Sequence, residues 1–252
     1  MGWDPAIYLA FGDHRSRPFH DLLARVGASA PRRVVDLGCG PGHLTGALAE
    51  RWPDAEIDAL DSSSAMVADA RSRGVPARRV DVRVWCPGEC DDVVVCNAVL
   101  QWVPGHLSLL ARWLTAMSAG GWFAMQVPGN LGSPSHTLIR ALLAEPSWRG
   151  QVSDRDELAV AGPDEYALAL SATGADVDVW ETTYLHRLTG SDPVLDWVSG
   201  TALRPVRDAL DDAEWDLFRA SLAPRLRAAY PEQPDGSTWF PFRRIFAVAR
   251  VS

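Results

Sequence analysis

One heptad of sequence constrains this chain more than any other: Asp36-Leu37-Gly38-Cys39-Gly40-Pro41-Gly42. It joins RVVDL (33–37), a short β-branched run, to HLTGALAERW, a helix-like segment. Strand, tight glycine turn and helix in that order mark a crossover unit on a parallel sheet. Glycines there let the chain turn sharply and let a ligand approach the backbone. The dinucleotide fingerprint is GxGxxG; here the order is GxGxG, His43 follows, and Pro41 sits inside the turn. Such a loop is a poor pyrophosphate cradle. It suits a ligand whose charged end is an amino acid, with Asp36 just before the loop. A purely structural glycine turn is the competing reading.

The alternation continues. Ile57–Asp61 reads as a strand and SSSAMVADARSRG as a serine-capped helix. Ala77–Val82 and Asp92–Cys96 read as strands, Leu107–Met117 as a helix stopped by Gly120-Gly121, and Trp122–Val127 as an apolar strand closed by Pro128. Pro163–Thr173 reads as a helix ended by Gly174; Val177–Leu188 and Arg244–Val251 complete the sheet as antiparallel partners at one edge. The expected fold is a single α/β domain over 1–252, doubly wound, with a mostly parallel seven-stranded sheet flanked by helices. Two long intervals, 129–162 and 190–241, leave the alternation. The second contains helix-like DPVLDWVSG and DDAEWDLFRASLAPRLRAAY. Both are expected to form a helical lid above the carboxyl ends of the strands, where open α/β sheets bind ligands.

Further candidates fall at those carboxyl ends. Asp61 comes nineteen residues after Gly42, and its carboxylate can accept from both hydroxyls of a ribose, with Ser62 beside it. Asp81 can accept from an adenine amine while Val82 offers its backbone N–H; Met66 can pack on the ring. A solvated Asp81 and a core Met66 are the bland alternatives. Asn97, with Ala98, follows the fourth strand and is a candidate to contact either the amino-acid end of the ligand or the surroundings of its transferred group.

Composition removes other classes. With 24 basic and 32 acidic residues the net charge is -8, which repels nucleic-acid phosphates. No apolar run approaches the ~18 residues of a membrane span. MGWDPAIYLAFGDHRSRP does not read as a signal peptide, so a cytoplasmic location is expected. Cys86, Cys90 and Cys96 with His106 lack zinc spacing, and no metal is expected. The eleven tryptophans either fill the core or wall a cavity.

DLGCGPG at 36–42, Asp61, Asp81-Val82 and NAVLQW at 97–102 together resemble, in order and spacing, the class I S-adenosylmethionine-dependent methyltransferases. The flanks resemble one family within that class, the trans-aconitate 2-methyltransferases: WDPAIYLAFGDHRSRP (3–18), VPGNLGSPSH (127–136), TTYLHRLTGSDPVLDWVSGTALRP (182–205) and FPFRRIFAVAR (240–250). The resemblance covers almost the whole chain and is looser at 150–162 and 207–223. It implies methyl transfer from S-adenosylmethionine to one carboxylate of trans-aconitate, giving a monomethyl ester and S-adenosylhomocysteine. It also implies that residues 1–20 cap the site together with the two insertions.

A carboxylate, with a pKa near four, is already ionised at neutral pH, so no general base is required and no catalytic residue is nominated. Candidate donors for the acid's other carboxylates are Arg15, Arg17, Arg140, Arg204, Arg243 and Arg244. Arg243 and Arg244 are adjacent on a strand and point to opposite faces. Tyr8, His14, Trp102, His136, Tyr184 and Trp197 are candidates to wall the cavity or bond the acid. The partner is thus a small carboxylic acid, and the expected assembly a monomer or weak homodimer. Three alternatives stay open: another small acid or hydroxylated metabolite as acceptor, a non-catalytic S-adenosylmethionine-binding protein, and a nicotinamide oxidoreductase.

Overall fold

A computed structural model describes residues 12–151 and 160–252, without the side chains of 12–15. Helix α1 (Gly12–Leu23) leads into β1 (Arg33–Leu37), α2 (Thr45–Arg51), β2 (Glu56–Asp61), α3 (Ser64–Ser72), β3 (Arg78–Arg79) and β4 (Asp91–Asn97). A short 3-10 turn (Leu100–Trp102) precedes α4 (His106–Ala116) and β5 (Trp122–Pro128). After α5 (Pro134–Leu143) come α6 (Pro163–Ser171), β6 (Asp176–Thr189), α7 (Pro193–Ser199), α8 (Arg204–Ala209), α9 (Asp212–Ala229) and β7 (Ser237–Arg250).

The strands form one seven-stranded sheet in the order β3-β2-β1-β4-β5-β7-β6. Strands β1 to β5 pair in parallel, and β7 runs antiparallel to β5. Every residue from Val93 to Cys96 in the central β4 is fully buried, as a parallel strand covered on both faces requires. From β1 the chain winds outward through β2 and β3, then returns to β4 and β5 on the other side. That reversal opens a crevice at the carboxyl ends of β1 and β4.

Contact clustering divides the chain into two compact units, with boundaries inside β6 and β7. One holds 15–128, 160–182 and 244–252 of the described residues and contains the parallel strands. Its core includes Val35, Leu60, Val94, Trp113, Phe123, Tyr166 and Ala247. The other holds 12–14, 129–151 and 183–243 of the described residues. It has its own core of Ile139, Leu142, Trp148, Trp197, Phe218, Leu222, Phe240 and neighbours. Trp148 meets Phe218 edge-on at 5.2 Å, and Trp197 is 1% exposed. Those two tryptophans therefore serve packing. Trp180 stacks on Phe246 at 4.8 Å, whereas Trp239 stays 45% exposed.

Two strand expectations need correction. Instead of covering 77–82, β3 is only Arg78–Arg79. Asp81 accepts from the backbone N–H of Arg83 at 2.9 Å, and this local turn competes with the ladder. Strand β7 begins at Ser237 instead of Arg244 and so takes five residues of the 190–241 interval. Its alternation is plain: Phe240 and Phe242 are buried between exposed Trp239 and Pro241. Helix α8 within that interval was not anticipated. Among the described residues, no helix is long and apolar enough to cross a membrane, and no cluster of ligands suits a metal.

Buried Asp58 ties three strands together, accepting from Arg33 on β1 and from Arg78 on β3 (Nε 3.0 Å). Removing Asp58 takes from Arg78 its ion-pair partner among the described residues and leaves Arg33 the longer contacts to Asp91 and Glu56, at 3.5 and 3.7 Å. Asp58→Ala is expected to cost about 2–4 kcal/mol in urea unfolding, toward the low side of the buried-pair range because Arg78 is half-exposed.

Candidate active site

The glycine loop is built by its surroundings. Gly38 has φ +85°, and a Cβ there would fall 2.2 Å from Cγ2 of Val99, so no other residue fits without displacing the turn after β4. The N–H groups of Gly38 and Cys39 both donate to the Leu60 carbonyl, at 2.7 and 2.9 Å. Gly40 donates its N–H to Asp61 Oδ2 at 2.9 Å, and Ser63 donates its N–H to Asp61 Oδ1 at 2.8 Å. Around Gly40, among the described residues and apart from its chain neighbours, no atom lies within 4 Å of where a Cβ would stand. The loop therefore presents bare backbone to open space, while each Asp61 oxygen keeps lone-pair capacity for a further donor. Gly42, φ +76°, packs closely on Val75 and Ala70.

Asp36 lies beneath the loop, 4% exposed, and accepts from the Thr45 hydroxyl at 2.6 Å. Burial, reinforced by the charge of Asp61 and opposed by Thr45, pushes its acid up to about 6. Burial likewise pushes the Cys39 thiol up to about 12, with Asp36 and Asp61 adding to it. At neutral pH it is a thiol, without the thiolate a nucleophile needs.

At the start of α3, Ser63 caps the helix by accepting from the Met66 N–H at 3.4 Å; Met66 is half-buried and Ser62 exposed. Asp81 is engaged by Arg83, whose Nη2 donates to it at 2.5 Å, and that guanidinium holds its acid down at about 2. The adenine-acceptor expectation did not include this partner. Val82 is buried in the core.

At the end of β4, Asn97 Oδ1 is buried and has no partner among the described residues. Ala98 follows with φ +57°, a left-handed conformation that costs a non-glycine residue roughly 1–2 kcal/mol. It is locked there: its N–H donates to the Gln126 carbonyl at 2.8 Å, and its carbonyl accepts from Gln101 Nε2 at 2.7 Å. Strain of this kind at the mouth of a central strand is where functional sites store it. Gln101 Oε1 and Gln126 Nε2 are also buried and unpartnered among the described residues. Trp102, two residues past Leu100, is 52% exposed.

The candidates for binding the acid are more dispersed. Tyr8 and the His14 side chain lie outside the described residues. Arg17 is exposed, 3.8 Å from Asp21 one turn on. His136 and Arg140 share α5. Burial, with the charge of Arg140, pushes the His136 imidazole down to about 4; its Nδ1 sits 3.2 Å from Ser135 Oγ and 3.4 Å from Ser133 Oγ. Arg140 donates to the Leu131 carbonyl at 2.9 Å and Arg243 to that of Gly129 at 3.2 Å. Tyr184 and Trp197 flank His186 in one buried aromatic stack, with centroids 6.4 and 4.8 Å away. Arg204 is exposed at the head of α8. Sequence reasoning missed Thr45, Gln101 and Gln126. Thr45 carried a weak signal as the first residue of the helix after the glycine loop; the glutamines carried none.

Comparison with known proteins accords with this geometry. A methyltransferase-domain family model matches residues 11–178. The chain is 60% identical to a trans-aconitate 2-methyltransferase of Rhodococcus jostii, over 99% of both chains. It is 55% identical to one of Mycobacterium tuberculosis, over 99% of this chain and 97% of that one. Among solved structures, the YcgJ protein of Bacillus has the same fold at a TM-score of 0.60 and 14% identity, covering 94% of this chain and 98% of that one. Phosphoethanolamine N-methyltransferase 2 of Haemonchus contortus, solved with S-adenosyl-L-methionine, gives 0.56 at 17% identity, covering 94% and 53%. The chain belongs to the trans-aconitate 2-methyltransferase family of S-adenosylmethionine-dependent methyltransferases.

The raised acid of Asp36 has a signed consequence. Its folded pKa of about 6 exceeds the unfolded value near 3.9, so between those values the folded state binds more protons. Its contribution to stability is therefore greatest at acid pH and is lost as pH rises from about 4 through 6. Asp36→Asn, which keeps an oxygen for Thr45, is expected to remove a fall of about 3 kcal/mol over that window, read as the wild-type minus variant difference in urea unfolding.

Proposed function

We propose that this chain transfers a methyl group from S-adenosylmethionine to one carboxylate of trans-aconitate, yielding the monomethyl ester and S-adenosylhomocysteine. One observation carries the acceptor: 60% identity, end to end, with an enzyme named for that reaction. The residues present also fit the methyl donor. Open space at Gly40 admits a ligand against the backbone, Asp61 has lone-pair capacity for ribose hydroxyls, and the orphaned Oδ1 of Asn97 and Oε1 of Gln101 are acceptors suited to an ammonium. When bound, S-adenosylmethionine supplies an electrophilic methyl on a positively charged sulfur.

What the chain itself contributes is placement. Asp36, Gly38 to Gly42, Asp61, Ser62, Met66, Asp81, Val82 and Asn97 are assigned to the donor; Trp102 and the candidate arginines are assigned to the acid. An ionised acceptor needs no proton removed, and the residues agree with that. His106, buried, has both ring nitrogens occupied, by the Val103 carbonyl at 2.9 Å and the Tyr166 hydroxyl at 2.7 Å. Burial lowers its pKa, so it serves structure. Holding two reactants in line removes an orientational cost that reaches ~7–11 kcal/mol in well-organised systems. The rigid turn at Asn97-Ala98 is suited to that work.

The test is mass-resolved transfer from labelled S-adenosylmethionine to trans-aconitate, with cis-aconitate and citrate in parallel. A monomethyl ester formed fastest on trans-aconitate is expected; faster turnover of another acid rejects the acceptor and keeps the chemistry. Asp61→Ala is expected to weaken S-adenosylhomocysteine binding by roughly 100-fold in calorimetry, the scale of losing charge-assisted hydrogen bonds. Trp102→Ala should instead cut turnover by about tenfold, the upper scale of one aromatic contact, with binding of the donor little changed.

A further inference from the structure

Gln126 and Arg244 take no part in the donor-binding set, yet their placement is unusual. Asn97 on β4 is the register partner of Gln126 on β5, and Pro128 on β5 is the partner of Arg244 on β7. Side chains alternate along a strand, so residues 126 and 128 share a face, and Asn97, Gln126 and Arg244 all stand on that face at the carboxyl end of β5. Gln126 is 1% exposed. Arg244 Nη1 donates to Gln126 Oε1 at 3.4 Å. A guanidinium has only donors, so the amide oxygen must face it and the amide nitrogen must face away. That Nε2 is buried without a partner among the described residues.

A buried amide donor left unmet is costly, and native structures retain one where something outside the chain meets it. A neutral N–H donor held beside a half-buried guanidinium fits an anion. We propose that Gln126 Nε2 and Arg244 form the anchor for a non-reacting carboxylate of the acceptor acid, and so select polycarboxylates. This rests on the acid-methyltransferase reading and names the residues that fix the substrate in it. The two orphan acceptors nearby, Asn97 Oδ1 and Gln101 Oε1, have the wrong polarity for a carboxylate and belong to the donor's ammonium.

Gln126→Glu tests the anchor with almost no change of shape, replacing the donor by an acceptor while leaving Arg244 a partner. Binding of trans-aconitate would be measured by calorimetry in the presence of S-adenosylhomocysteine, with thermal midpoints recorded alongside. The expected result is a roughly 10- to 100-fold loss of trans-aconitate affinity, with S-adenosylhomocysteine affinity within about threefold of wild type. Arg244→Lys, which keeps the charge and loses the fork, should weaken trans-aconitate by about tenfold. Both variants should lose much less on a monocarboxylic acid than on the tricarboxylate, which a general structural defect would not produce. Unchanged trans-aconitate affinity in Gln126→Glu, equal losses for all acids, a parallel loss of S-adenosylhomocysteine, or no trans-aconitate binding by the wild type would each overturn the anchor. The two readings separate cleanly. Wild-type esterification of trans-aconitate with an unchanged KM in Gln126→Glu keeps the reaction and rejects the anchor. Selective loss of trans-aconitate binding without any wild-type transfer keeps the anchor and rejects the reaction.

Discussion

The carboxylate of Asp61 holds the ligand-binding end of this sheet together. It accepts the N–H of Gly40 from the loop after β1 and the N–H of Ser63 from the head of α3. The same loop hangs from β2 through two amides on the Leu60 carbonyl. Gly38 in turn can only be glycine because Val99 presses on it, which couples the loop to the turn after β4. Ala98 in that turn is bonded to the Gln126 carbonyl of β5. The carboxyl ends of β2, β1, β4 and β5 are thus linked by named contacts, and moving any one disturbs the next. Charge-assisted hydrogen bonds to backbone amides are strong enough to fix such a chain of contacts.

The acid–base state of the site agrees with catalysis by positioning. Asp61 and Asp36 are close enough to raise the acid of the latter, and Asp61 accepts two backbone amides. The cysteines at the strand ends, Cys39 and Cys96, are both pushed up by burial and stay protonated. His136 is held neutral by burial and by Arg140. Neither thiol is therefore available as a thiolate nucleophile near neutral pH and His136 is a weak proton acceptor, and an acceptor that arrives already ionised requires neither.

Much of this was legible before any coordinates. The GxGxG turn, the serine cap of α3 and the apolar run at 93–96 report local geometry, and local geometry is what residue order encodes directly. Where the reading failed, side chains made choices that order does not display. Asp81 turned onto Arg83 and ended β3 after two residues. Strand β7 starts at Ser237, before the expected Arg244, and runs through Pro241, which is exposed while the buried phenylalanines on either side keep their alternation. The tryptophans were ambiguous because a ring that fills a core and one that walls a cavity look alike in sequence; Trp148 and Trp197 proved to be packing. Gln126 was invisible for a different reason. Its importance lies in a hydrogen bond it lacks, and that is a property of three dimensions.

The missing hydrogen bonds form a pattern of their own. On the β4 side of the crevice the orphaned atoms are oxygens, Asn97 Oδ1 and Gln101 Oε1. On β5 itself an orphan among the described residues is a nitrogen, Gln126 Nε2, with a guanidinium from β7 beside it, while Asn130 Oδ1 just past the strand is a further orphan oxygen. Acceptors attract a cation and donors an anion, so the polarity changes between Asn97 on β4 and its register partner Gln126 on β5. Methyl transfer from a sulfonium amino acid to a polycarboxylate brings together one ligand with an ammonium and another with spare carboxylates. Acceptors at Asn97 and Gln101 and donors at Gln126 and the Arg244 guanidinium suit the proposed discrimination between them. Under the proposed anchor the two reactants are ordered by polarity, and the strained Ala98 follows Asn97 and bonds to the Gln126 carbonyl.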